Sequence, residues 1–173
     1  MRSTKCWSRA VFWSCTIALP LLLGSPATAL DWGKGEYETE VTVVKIAREI
    51  AKGGYDIVST PELKGWIDSR RELLLVDTMP PADYRGGHLP GAISFELPCP
   101  EPYEMPPPQR QAFAKLLGEP KNRLIVFSCE FTRCGRSHNG AFWARRLGYT
   151  NVYRHPGGLK SWRQADYPVE KGK

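Results

Sequence analysis

A four-residue apolar run, Leu124-Ile-Val-Phe127, leads through Ser128 to Cys129. A seven-residue loop follows, Glu130 to Arg136, and beyond it Gly140, Ala141, Ala144 and Leu147 recur at helical spacing. A short, unbroken, β-rich apolar run has no polar face to show to water, which is the pattern of a parallel strand buried on both sides. Ser137 is a good N-cap residue, so a helix is predicted to start near it. The chain here reads strand, loop, helix, with a cysteine where the strand ends.

That placement gives the cysteine a chemical purpose. A loop that runs from a strand end into a helix N-terminus turns several backbone N–H groups inward, and the helix dipole adds partial positive charge. A thiol facing such a cradle loses its proton more easily, because the cradle stabilises the anion. The same cradle accepts a small oxyanion such as thiosulfate, phosphate or arsenate. His138 falls inside the predicted helix and no other histidine is close in sequence, so activation is expected from anion stabilisation rather than a Cys–His pair.

The rest of the chain repeats the alternation. Strands are predicted at Tyr55–Ser59, Glu72–Asp77, Ala92–Leu97 and Asn151–Arg154, in addition to the run ending at Cys129. Helices are predicted from Ser59 or Thr60 to about Ser69, over Gln109–Gly118, after Ser137 and over Leu159–Ala165, with a short turn or helix at Pro80–Gly87. The pattern is that of an α/β domain with a parallel sheet and a ligand site at the C-terminal ends of the strands. Pro98 to Pro108 is too rich in proline for a helix or a central strand. It reads either as a connecting loop or as a wall beside the site, and Cys99 shares that choice. Residues 30–54 read as an extension, with strand character over Tyr37–Val44 and a helix over Lys45–Lys52 that Gly53-Gly54 stops.

Residues 1–29 differ in kind. Arg2, Lys5 and Arg9 precede the apolar stretch Ala10–Gly24, and Ala27-Thr28-Ala29 is a small-x-small cleavage site. This is the layout of a secretory signal peptide, and the apolar stretch is shorter than the ~20 residues that span a bilayer. The expectation is an exported protein, periplasmic in a Gram-negative bacterium, with no membrane anchor after cleavage. Cleavage lowers the formal net charge from +6 to +3 and leaves no dense Lys/Arg run, so nucleic-acid binding is not expected. Cys6 and Cys15 leave with the peptide; Cys99, Cys129 and Cys134 remain, an odd number in an oxidising compartment. Two loop cysteines without Cys-x-x-Cys or a His pair give little basis for a metal, and no cofactor is implied.

Taken in order, Leu74-Leu-Val-Asp77, Tyr84-Arg-Gly-Gly-His-Leu-Pro-Gly-Ala-Ile93, Ile125–Cys129 with Gly135-Arg-Ser137, Leu147–Tyr153 and Gly157-Gly-Leu-Lys-Ser-Trp162 resemble the rhodanese (sulfurtransferase) homology domain over residues about 55–170. The resemblance implies a five-stranded parallel sheet flanked by helices. It implies that Cys129 is a nucleophile that takes the outer sulfur of a donor such as thiosulfate and passes it to cyanide or to an acceptor thiol, small or protein-borne. Loop N–H groups and a loop arginine would hold the anionic donor. The loop is two residues longer than the common family loop, carries Cys134, and has Met79 where an arginine is usual; it looks like an exported subset with two loop cysteines. A longer loop is also similar to those of the related cell-cycle phosphatases and arsenate reductases.

The candidate site is therefore Cys129 with Glu130, Phe131, Thr132, Arg133, Cys134, Gly135, Arg136 and Ser137. Cys134 reads as a resolving thiol, a second sulfur carrier or a loop-filling side chain. Arg136 is expected to bind the donor's charge or to brace the loop, while Arg133 is as readily solvated. His88 and Asp77 read as structural, His138 as a surface residue, and Trp143 and Trp162 as packing. Three other functions stay open: a thiol–disulfide or oxyanion-reducing enzyme in which Cys134 resolves Cys129, a non-catalytic module that binds a partner through the proline-rich loop, and a phosphatase.

Overall fold

The computed structural model describes residues 35–100 and 103–172. The predicted signal peptide and the first residues of the extension lie outside the described residues. Along the chain come α1 (Glu36–Gly53), β1 (Asp56–Ile57), α2 (Thr60–Asp68), β2 (Leu74–Asp77), α3 (Pro81–Gly86), β3 (Ile93–Ser94), α4 (Pro107–Leu117), β4 (Ile125–Ser128), α5 (Arg136–Arg146), β5 (Val152–His155) and α6 (Gly158–Gln164). The five strands form one sheet in the order β1-β5-β4-β2-β3, every pair parallel. This is the α/β architecture that the alternation predicts.

Strand β4 lies at the centre, paired to β2 through Val76 and Phe127 and to β5 through Phe127 and Arg154. All four of its residues are buried. Side chains alternate across a strand. Ile125 and Phe127 accordingly join a core with Phe113 and Leu117 of α4 and Ala141, Trp143 and Ala144 of α5. Val126 joins the opposite core with Leu63 of α2 and Leu159 and Trp162 of α6. Fully burying a side chain of this size contributes about 1.5–3 kcal/mol, so the two cores fix the height at which β4 ends. Gly140 of α5 lets the helix approach the sheet: a Cβ there would lie 2.5 Å from the Phe127 ring.

Several predicted boundaries move. Residues 36–53 form one helix, not a strand followed by a helix. The β-branched run Thr39, Val41, Thr42, Val43, Val44 favours a strand locally, but the shielded positions are 41 and 42, 45 and 46, 49 and 50, and 53. That spacing is helical, and packing against the domain overrides propensity. Gly54 closes the helix in the left-handed conformation, its N–H on the Ile50 carbonyl. Helix α4 starts at Pro107, two residues before the predicted start, because prolines are tolerated where the helix has no N–H to satisfy. The third strand shrinks to two residues, although Phe95 and Leu97 still donate to the carbonyls of Asp77 and Thr78. Of the two cap residues predicted for α2, Ser59 and Thr60, it is Ser59 that caps, in a reciprocal capping box with Glu62. Among the described residues no helix is long and apolar enough to cross a membrane.

Candidate active site

Strand β4 delivers Cys129 to the C-terminal edge of the sheet, where it has no solvent exposure. Its Sγ lies 3.2 Å from Ser137 Oγ. The Cys134 thiol and the Ser137 backbone N–H also bond to it. These donors act on the anion. The Cys134 hydrogen bond is the largest effect, the Ser137 bonds and the charge of Arg154 add to it, and burial opposes them; together they bring the Cys129 thiol down to about 7. Cys134 moves the other way, pushed well up because its proton is committed to Cys129 and because it is buried. Between the two, the environment favours the anion at 129 and the proton at 134, and neither cysteine is in a disulfide.

The loop is held by a residue that sequence reasoning did not single out. Arg154 on β5 is fully buried. Its Nε donates to Ser137 Oγ at 3.0 Å, and its Nη2 to the carbonyls of Cys134 at 3.0 Å and Thr132 at 3.4 Å. Its Nη1 donates to the Glu49 carboxylate of α1, which also pairs with Lys45. Strand alternation carried the signal: Arg154 shares the inward face of Val152, so a full positive charge in the core requires a partner there.

Arg136 is placed differently from that brace. Its Nη1 donates to the Leu97 carbonyl and lies 3.8 Å from Glu96, at the exit of β3. Arg133 forms an exposed pair with Glu38 of α1 at 2.6 Å. The Glu130 carbonyl accepts from the Lys160 N–H, and Phe131 stands out into solvent. Helix α5 begins at Arg136 with Gly135 as N-cap, so Ser137 sits inside the first turn with its hydroxyl beside the sulfur rather than at a cap. His138 is not a surface residue. It is buried, with Nδ1 2.7 Å from the Tyr55 hydroxyl, because the ring of Tyr55 packs beside α5. His88 bonds the Tyr84 carbonyl through Nδ1. Asp77 accepts from the Met79 N–H, and burial raises its carboxyl to about 6. Met79 packs against both loop cysteines, filling the place at the strand end with an apolar side chain.

The proline-rich stretch lies against α5. The carbonyls of Pro98 and Pro100 accept from Asn139, and that of Tyr103 from Trp143. Cys99 is exposed. A cleft of about 770 Å³ opens between α1 and the loop, with Arg48, Lys52, Cys99, Arg133 and Gly135 among its lining. Among the described residues no three His, Cys, Asp or Glu side chains gather as metal ligands.

An HTH-type transcriptional regulator of Mycobacterium tuberculosis is 31% identical over 130 residues, which cover 72% of this chain and 52% of the relative; the chain spans about half the length of that protein. A thiosulfate sulfurtransferase from Pseudomonas aeruginosa has the same fold at a TM-score of 0.56 and 20% identity, over 72% of this chain and 22% of that one. The polysulfide-sulfur transferase homodimer of Wolinella succinogenes superimposes with a TM-score of 0.55 at 15% identity, over 79% of this chain and 92% of that one. The model of the rhodanese-like domain matches residues 59–165, from the cap of α2 to the end of α6, and the chain belongs to that family.

Proposed function

We propose that the protein is a sulfurtransferase or persulfide carrier whose nucleophile is Cys129. The observation that carries this reading is the buried Cys129 sulfur at the end of β4, within hydrogen-bonding reach of the Cys134 thiol and both the hydroxyl and N–H of Ser137. With its thiol brought down to about 7, a large fraction of it is thiolate near neutral pH. The thiolate attacks the outer sulfur of thiosulfate, the S–S bond of the donor breaks, and sulfite departs with the electron pair, leaving a Cys129 persulfide. An acceptor thiolate then attacks the outer sulfur of that persulfide, and Cys129 leaves as thiolate. The lysine and arginine side chains beside the loop favour an anionic donor. Because Cys129 has no exposed surface, loading requires the 130–135 loop to open. Two of the similar structures are sulfur transferases, which supports this reaction class for the same fold. Export by residues 1–29 belongs to the same reading: the donor and acceptor would be met outside the cytoplasm.

The test is incubation of the mature protein with thiosulfate and, separately, with polysulfide, followed by intact mass measurement. A one-sulfur adduct that Cys129→Ser abolishes and that an added thiol removes is the expected result. Failure to form an adduct with either donor would end the proposal.

The hydrogen bond between the two cysteine side chains favours a second reading. In it, Cys134 attacks a Cys129 adduct, forming a Cys129–Cys134 disulfide and releasing the transferred group as its reduced form, so that an external dithiol must reset the enzyme. Retention of turnover in Cys134→Ala excludes this path while leaving sulfur transfer in place.

A further inference from the structure

A serine hydroxyl beside a thiol can be donor or acceptor, and the 3.2 Å between Ser137 Oγ and Cys129 Sγ does not by itself say which. Arg154 decides it. A guanidinium has only donors, so the Arg154 Nε–H at 3.0 Å occupies a lone pair of Ser137 Oγ and cannot receive its proton. Among the described residues the other partner of that hydroxyl is Cys129 Sγ. The proton therefore points at the sulfur.

The same side chain answers a second need. The Cys134 carbonyl lies 3.7 Å from Cys129 Sγ, and a carbonyl oxygen beside a sulfur anion is repulsive. Nη2 of Arg154 draws on that oxygen at 3.0 Å and on the Thr132 carbonyl at 3.4 Å. Nη1 is anchored by Glu49, from a helix outside residues 59–165. We propose that Arg154, fixed by Glu49 of α1, is the positioning residue of the nucleophile: its fork aims the Ser137 hydroxyl at Cys129 and offsets the negative end of the Cys134 carbonyl beside the anion, which makes α1 part of the active site. This rests on Cys129 being the reacting group and does not depend on which sulfur compound it takes.

The titratable groups facing the cluster are Cys134 from the loop and Glu49 with Lys45 from α1. His155, next on β5, is turned to Thr60 and Ser128 instead.

The experiment follows Cys129 ionisation in a Cys99→Ser background by ultraviolet thiolate absorbance and by the pH profile of iodoacetamide alkylation. Arg154→Lys keeps the charge and loses the planar fork. Its midpoint should rise by about one pH unit, with alkylation below the midpoint slowed about tenfold. An unmoved midpoint in a folded Arg154→Lys protein would mean that charge alone suffices and would overturn the proposal. Combined with Ser137→Ala, Arg154→Lys should add little; a fully additive shift would show that Arg154 does not act through Ser137. If Arg154→Lys does not fold, Glu49→Gln gives the same decision. Loss of the anchor should move the midpoint up, whereas simple removal of a negative charge would move it down, and a downward shift overturns the proposal. Thiosulfate loading is scored separately, so a wild-type protein that titrates as described but accepts no sulfur would defeat the sulfurtransferase reading and not this one.

Discussion

The backbone N–H of Leu159 donates to the carbonyl of Cys129 at 2.8 Å. The next N–H, of Lys160, donates to the Glu130 carbonyl at the same distance. The first turn of α6 thus grips the chain where β4 becomes the loop. The two peptide units that would otherwise be most free to turn are fixed by the helix that follows the neighbouring strand. Gly158 makes the approach feasible: it has a φ of +62°, and a Cβ there would meet the Cys129 carbonyl oxygen at 2.4 Å.

Gly158→Ala should therefore harm the protein twice. The left-handed conformation costs a residue with a side chain roughly 1–2 kcal/mol. The overlap with backbone, which has no rotamer to yield, adds overpacking of about 1–3 kcal/mol. A fall of several degrees in Tm is expected, and with it slower alkylation of Cys129 at pH 7, since the displaced carbonyl moves the sulfur away from its donors. Gly172→Ala, a glycine with left-handed φ but open space around it, serves as the comparison and should show the smaller loss.

Cys134→Ala removes the strongest single donor to the Cys129 anion, so the Cys129 thiol should return toward the ordinary thiol range. Thiosulfate loading at pH 7 should fall several-fold and recover at higher pH. Cys134→Ser keeps a hydroxyl donor and should fall between the two. A pH profile of loading for the three proteins checks the order; an unchanged midpoint in Cys134→Ala would show that Cys134 does not stabilise the anion.

The wild-type profile has a fixed sign. The reactive form is the deprotonated one, so loading should rise as pH passes upward through about 7 and level off above it. A bell with a descending limb near 6 would point instead to a protonated carboxyl, for which Asp77 is the group in range.

Much of this was readable before the fold was known, and for local reasons. Strand β4, the turn of phase into α5 and the placement of Cys129 all rest on apolar spacing within a few dozen residues. The capping box at Ser59 and Glu62 is equally local. What escaped was long-range. Arg154 meets Glu49, 105 residues away, and the loop carbonyl of Cys134, 20 residues away. Nothing adjacent to Arg154 announces either partner. His138 was misplaced for the same reason: its burial depends on Tyr55, 83 residues away. Helix α1 failed because its β-branched residues favour one structure and its packing another. Arg136, prominent within the loop sequence, turns toward Leu97 while a distant arginine takes the inward position.

Two buried groups set opposing pH dependences of stability, and a single substitution separates them. His155 is pushed down to about 4 by burial, against 6.5 ordinarily. Its stabilisation is present above pH 6.5 and is lost as pH falls toward 4, an effect of about 3 kcal/mol. Asp77 is raised from 3.8 to about 6, chiefly by burial, and among the described residues its Oδ2 has no hydrogen-bond partner. A raised carboxyl favours the folded state below pH 3.8, and that advantage is lost as pH climbs through 6, again by about 3 kcal/mol. Between pH 4 and 6 the two slopes nearly cancel. Asp77→Asn keeps an acceptor for the Met79 N–H and removes only the titrating charge. Urea midpoints should show the variant gaining on wild type at pH 7 and losing that gain at pH 4, so that its own stability falls steeply with acid where that of wild type does not. Parallel profiles for the two proteins would mean that Asp77 ionises normally in the fold, and that its buried, half-satisfied position costs nothing.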